Sequence, residues 1–273
     1  MRYDCSVIIV LLFFQVVVHA QVDTAKLQEV STIPDKVYLK SYLIDSRDIL
    51  ISPFRWNTFQ WIGTTAVVGT TVFLFTQDAQ IQKIFQQNQT PFLTDFSNYF
   101  LEPWGSGVYT IPALGILYGC GFLFGNDKAK ATALKGLEAF VLAAISAQII
   151  KQITHRHRPS QDEPPNPNFW EGPFAPITYA SFPSGHSAVV FAVAAVLGSA
   201  YKETIWVPIL CYSIAGLTAL SRIYDNEHWA SDVLLGSALG FAIGKTIYRN
   251  GFGKLKVVPF SPTGMGVTLI YKL

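Results

Sequence analysis

The feature that most constrains this chain is a set of long stretches without a single charged residue. Measured from one charge to the next, Arg55 to Asp78 encloses 22 uncharged residues and Glu102 to Asp127 encloses 24. A helix needs roughly 20 apolar residues to cross a bilayer core, so both runs are long enough to span. Glu203 to Arg222 encloses 18, while Glu138 to Lys151, His186 to Lys202 and Asp232 to Lys245 enclose 12, 15 and 12. Runs of the shorter kind build buried core helices, and they span only if their flanking charges face protein rather than lipid. The pattern predicts six helices and leaves open how many cross. Of 273 residues, 50% are hydrophobic and only 14% charged, where soluble domains carry about 25% charged. Disorder and collagen are excluded. A net charge of +2 without a basic cluster leaves no footprint for nucleic acid.

The two ends of the chain differ from its middle. Arg2, the apolar stretch Val7 to Val18 and the small-residue signal around Ala20 make residues 1–20 an export signal or an uncleaved N-terminal anchor. Residues 21–54 form a polar segment, 55–250 the helical domain, and 251–273 a tail. In that tail Val257-Val258, Ser261-Pro262-Thr263-Gly264 and Val267 to Tyr271 spell a short β-hairpin. Gln80 to Phe100 suits a short amphipathic helix, and the proline-rich stretch from Pro159 to Pro183 an ordered loop or lid. In that loop Phe169, Trp170 and Phe174 either line an entrance or pack on one another. Cys5, Cys120 and Cys211 have no metal-ligand spacing. The last two are buried free thiols or, alternatively, a disulfide.

Three polar groups stand at the ends of apolar runs, where composition gives no reason for them. Lys151 and Arg158 are seven residues apart, two helical turns, so a helix reaching that far puts both cations on one face before Pro159 ends it. Pro183-Ser184-Gly185-His186 opens a run as a helix start whose free amides and dipole attract an anion. Ser221-Arg222 precedes His228 and Asp232, which are four apart; on a helix the carboxylate would hold one imidazole nitrogen and leave the other basic. Separately, each group also reads as an ordinary cap, helix end or surface pair. Together, three cations, an anion cradle and two histidines are a kit for phosphoryl transfer without a metal. No Walker loop, zinc spacing or Asp-rich cluster competes with it.

Lys151-x6-Arg158-Pro159, Pro183-Ser184-Gly185-His186 and Ser221-Arg222-x5-His228-x3-Asp232 resemble the three-part signature of the type-2 phosphatidic acid phosphatase and vanadium haloperoxidase superfamily, in order and unbroken. The resemblance does not reach residues 21–55 or the tail. It implies an all-α, six-helix bundle embedded in a membrane. His228 would be the nucleophile, forming a phosphohistidine, with Asp232 orienting it. His186 would serve as general acid and then base, and Lys151, Arg158, Ser184, Gly185 and Arg222 would hold the phosphate. His155 and His157 fall at variable positions and either touch a headgroup or are solvated loop residues, the second being the favoured reading. No cofactor or metal is implied. The expected partners are a membrane and a phospholipid or polyprenyl phosphate or diphosphate; the alternative is a soluble periplasmic acid phosphatase of the same superfamily.

Charge asymmetry puts residues 127–135 and the tail inside a cell and the site on the extracytoplasmic face of the envelope membrane. A cleaved signal followed by six spans would turn the site inward. The two expectations conflict.

Overall fold

The computed structural model describes residues 31–173, 175, 180–252, 255–259 and 267–271; the predicted signal over residues 1–20 lies outside them. Helix α1 (Lys36–Ile51) starts where the Asp35 carboxylate accepts from Tyr38 N at 2.8 Å. Helix α2 (Thr58–Gln87) opens in a reciprocal capping box of Asn57 and Gln60. Short helices α3 (Pro91–Phe96) and α4 (Glu102–Ser106) flank a π-helical turn over Ser97–Leu101. Then come α5 (Thr110–Leu123), α6 (Asp127–Thr154), α7 (Gly185–Ala200), α8 (Trp206–Tyr224) and α9 (Ala230–Phe252). Strands β1 (Leu255–Pro259) and β2 (Val267–Tyr271) pair antiparallel, Leu255 opposite Tyr271.

Each charge-free run falls in helical structure, but the boundaries move for identifiable reasons. The 12-residue run after Glu138 is the middle of the 28-residue α6. Lys135 and Glu138 do not interrupt that helix because they pair with each other and with Asp45 at 2.9 and 3.0 Å. Likewise α2 continues past the buried Asp78 to Gln87 and absorbs the Gln-rich segment expected to be a separate helix. Gln86 and Gln89 donate to the carbonyls of Ile223 and Tyr224 at the end of α8. The longest run is broken, because Gly107 adopts φ 92° and bends the segment by 61°.

The expected six-helix count is not confirmed, and the number that cross, left open by the sequence, is now bounded. Among the described residues α2, α6, α8 and α9 are long and apolar enough to cross a membrane, and α3–α4 with α5 add a bent fifth. Helix α7, with 16 residues, falls short of the span length.

Helix α7 is the centre of the bundle. Of its residues only Gly185, His186 and Phe191 are not buried, and its small side chains let α9 approach closely. Gly236, Gly240 and Gly244 recur every fourth residue along α9. A Cβ at each would lie 2.4, 1.9 and 2.2 Å from the carbonyl oxygens of Ser184, Ala188 and Ala192. The two backbones are in contact along three turns, as small-xxx-small seams permit. Above the seam, Ser184 N donates to the Asp232 carbonyl at 3.0 Å, so the start of α9 is locked to the start of α7.

Gly240→Ala should therefore lower stability by about 1–3 kcal/mol through overpacking. Gly63→Ala, with nothing within 4 Å of the added carbon, should leave it unchanged. Thermal unfolding in detergent compares the two.

Candidate active site

At the end of the bundle where α6 and α8 finish and α7 and α9 begin, a cleft of about 350 Å³ opens. Lys151, Arg158, Gly185, His186, Arg222 and His228 all line it. Lys151 and Arg158 do meet, but not on one continuous helix. Helix α6 ends at Thr154, His155 caps it in the left-handed conformation at φ 41°, and Arg158 arrives from the loop beyond. Gly185 faces open space, so its backbone is accessible. Ser184 is placed differently from the expectation. It is fully buried and absent from the cleft lining, and its hydroxyl caps α7, accepting from Ser187 N and lying 2.9 Å from Ser187 Oγ.

The His228–Asp232 pair also departs from its predicted geometry. Helix α9 starts only at Ala230, so the four-residue helical spacing does not apply to His228. Asp232 turns back to its own helix start, where its Oδ2 accepts from Trp229 N at 3.0 Å. His228 Nδ1 is 4.0 Å from that oxygen, and Ser181 fills the interval. Ser181 Oγ lies 2.5 Å from Asp232 Oδ2 and 3.2 Å from His228 Nδ1. The single hydroxyl proton goes to the carboxylate, so the oxygen can only accept from Nδ1–H. That tautomer leaves Nε2 as the unprotonated nitrogen. Burial, reinforced by Lys151, Arg158, His186 and Arg222, holds the His228 imidazole well below its usual pKa of 6.5, hence neutral.

Acidic residues accompany the cations. Arg158 pairs with Glu227, and Arg222 with Asp225. His186 Nε2 lies 3.0 Å from Glu102, and Lys151 Nζ donates to the Ala180 carbonyl at 2.6 Å. Burial and Arg222 lower the His186 pKa against the opposing pull of Glu102. Arg158 Nε is buried with no partner among the described residues. Gly105 backs directly onto His186, since a Cβ there would lie 2.5 Å from the imidazole Cδ2.

Sequence reasoning missed Ser181, Glu102, Glu227 and, above all, Arg156. Arg156 is wholly buried between the two histidines singled out instead. Its guanidinium donates to Asp232 at 2.5 Å, Ser231 Oγ at 2.7 Å and Asp78 at 2.7 Å, and stacks near the rings of Phe75, Trp170 and Trp229. A signal existed: Asp78 interrupts an apolar helix, and such a carboxylate needs a buried cation. His155 is buried rather than solvated, and His157 pairs with Asp162 and Glu171 at 3.1 Å. Phe169 packs on His157 and Trp170 on Phe75 and Phe182, so neither lines the cleft; Phe174 lies outside the described residues.

Residues 132–255 match the model of the PAP2 superfamily. It is 38% identical over 93 residues to the lipid A 1-phosphatase of Porphyromonas gingivalis, covering 34% of this chain but only 20% of that one. It is 29% identical over 179 residues to the undecaprenyl-diphosphatase of Sulfolobus acidocaldarius, covering 66% of this chain and 77% of that one. The crystal structure of Aquifex aeolicus LpxE aligns at TM-score 0.47 and 24% identity, over 63% of this chain and 94% of that one.

Arg156→Met would strand Asp78 and Asp232 as buried carboxylates and should cost about 3–5 kcal/mol. The drop should appear in thermal unfolding of the purified protein, independently of any catalytic assay.

Proposed function

We propose that this protein hydrolyses a lipid phosphate monoester or diphosphate through a phosphohistidine on His228. The observation that carries the reading is the Asp232–Ser181–His228 relay, which leaves a bare Nε2 in a cleft lined by Lys151, Arg158 and Arg222. In the first step Nε2 attacks phosphorus, the P–O bond to the lipid breaks, and His186 gives its proton to the leaving oxygen. In the second, His186 takes a proton from water, the water oxygen attacks phosphorus, and the P–N bond breaks to release phosphate and restore His228. The three cations meet the charge on the equatorial oxygens. Glu102 keeps the His186 proton available, and an arriving phosphate anion further favours the charged imidazole. Gly185 and the first amides of α7 add backbone donors, and Ser184 contributes by holding that helix start in place.

The reading extends to topology. Helix α6 begins at the end opposite the site, with Lys128, Lys130 and Lys135, and α9 ends there with Arg249. The positive-inside bias favours that end facing the cytoplasm and the site facing outward. Residue 31 then lies on the cytoplasmic side.

Phosphate release by detergent-purified protein tests the function, wild type beside His228→Ala, on lipid phosphates and on a small soluble ester. Turnover should be abolished in the variant, survive EDTA and be inhibited by vanadate. Ordinary activity in the variant sinks the mechanism, and preference for the soluble ester sinks the lipid reading. Ser181→Ala should lower kcat by about 10–100-fold, the usual cost of losing an orienting partner, with KM little changed. Because the neutral His228 imidazole is the nucleophile and its pKa is depressed, the acid limb should lie below pH 6.5, while loss of the His186 proton sets a separate basic limb. An acid limb centred above 6.5 in kcat/KM would contradict that assignment.

A further inference from the structure

Helix α1 is built inside out. Its side chains at Tyr38, Ser41, Asp45 and Asp48 turn towards the bundle. Tyr38 OH donates to the Leu134 carbonyl at 2.9 Å, Ser41 Oγ to Glu138 at 2.9 Å, and Lys135 Nζ to Asp45 at 3.0 Å. Asn250 donates to Asp45 at 2.7 Å and to Asp48 at 2.9 Å. Just upstream, Tyr118 OH donates to the Thr32 carbonyl at 3.1 Å. Successive residues from Thr32 to Asp48 thus touch α5, then one turn of α6, then the last turns of α9. The helix therefore lies across the bundle, at the end remote from the phosphate cleft, rather than alongside any span.

What faces outward is apolar and basic. Val37, Leu39, Leu43 and Leu50 are 65, 63, 75 and 76% exposed, and Phe54 just beyond is 91% exposed. Lys36, Lys40 and Arg47 are exposed among them, whereas no acid of α1 is; Arg55, which follows, reaches Asp48 at 3.7 Å. A helix on a water-facing surface shows the opposite arrangement, with its charges out and its leucines in. An outward face of leucine, isoleucine and lysine fits the boundary between acyl chains and headgroups, and the one-signed charge selects headgroups that are anionic. The same end of the bundle adds exposed Lys245 and Arg249.

We propose that α1 is an interfacial helix that docks onto an anionic phospholipid leaflet on the membrane face opposite the phosphate cleft. It anchors there by Leu39, Leu43 and Leu50, with Lys36, Lys40 and Arg47 on the headgroups. The buried carboxylates of Asp45 and Glu138 clamp the helix to the bundle, so it reports the position of that leaflet directly to α6 and α9.

The test uses the full chain with Cys5, Cys120 and Cys211 replaced by Ser and a bimane fluorophore attached at Leu43→Cys. The labelled protein is reconstituted in phosphatidylcholine vesicles carrying chain-spin-labelled phosphatidylglycerol or phosphatidylcholine as quencher. Half-quenching should need roughly tenfold less phosphatidylglycerol than phosphatidylcholine, an advantage typical of a few interfacial cations. The Lys36/Lys40/Arg47→Gln variant should lose that preference while keeping wild-type thermal unfolding and turnover of detergent-dispersed substrate. Absence of quenching by either lipid means that protein covers the face, whether the first 30 residues or a second copy, and overturns the proposal. Equal quenching by both lipids in the wild type also overturns it, by removing the anionic selectivity. The wild-type comparison decides alone should the triple variant fail to fold.

Discussion

One buried guanidinium organises the catalytic end of this molecule. Arg156 stands on the loop leaving α6, yet its hydrogen bonds reach Asp78 on α2 and both Ser231 and Asp232 on the first turn of α9. Three aromatic rings enclose it, so the charge is removed from water and its partners are fixed rather than interchangeable. Asp232 is thereby held by Arg156, Ser181 and its own helix start, and none of these contacts depends on a substrate being present. The geometry around His228 is prepared in advance, which is the condition for electrostatic stabilisation without reorganisation.

The cleft itself is balanced rather than simply positive. Glu227 and Asp225 hold Arg158 and Arg222, and Glu102 holds His186. Burial, with Glu227 and Glu102 adding to it, pushes the Asp225 carboxyl above its usual range despite Ser97 and Arg222. Three cations confined near one another would repel, and these carboxylates offset that repulsion. Under the proposed function, a phosphate entering such a site would exchange partners with carboxylates instead of filling an unscreened positive hole.

The sequence made the helical class and the residues around the cleft legible for different reasons. Apolar runs locate helices because burial of a helix face requires them, and the spaced motifs brought Lys151, Arg158, His186, Arg222 and His228 to one place. Helices outrun their charge-free stretches because Lys135, Glu138 and Asp78 are paired inside the bundle and do not act as boundaries. The direct His228–Asp232 contact failed because a helix was assumed two residues too early. Ser181 and Arg156 stayed invisible, since a serine inside the proline-rich stretch and an arginine just before it read as solvated loop until their burial is seen.

The bend at Gly107 gives the two halves of the longest apolar run separate duties. The half before it sets Glu102 and Gly105 against His186, and the half after it packs with α6 and α7 in the apolar body. A segment that reads as one span is thus a wall of the cleft joined to a strut of the bundle. Damage to the strut would be felt at an imidazole more than 60 positions further along the chain. Second-site suppressors of cleft defects would then cluster around that glycine, far from any motif residue.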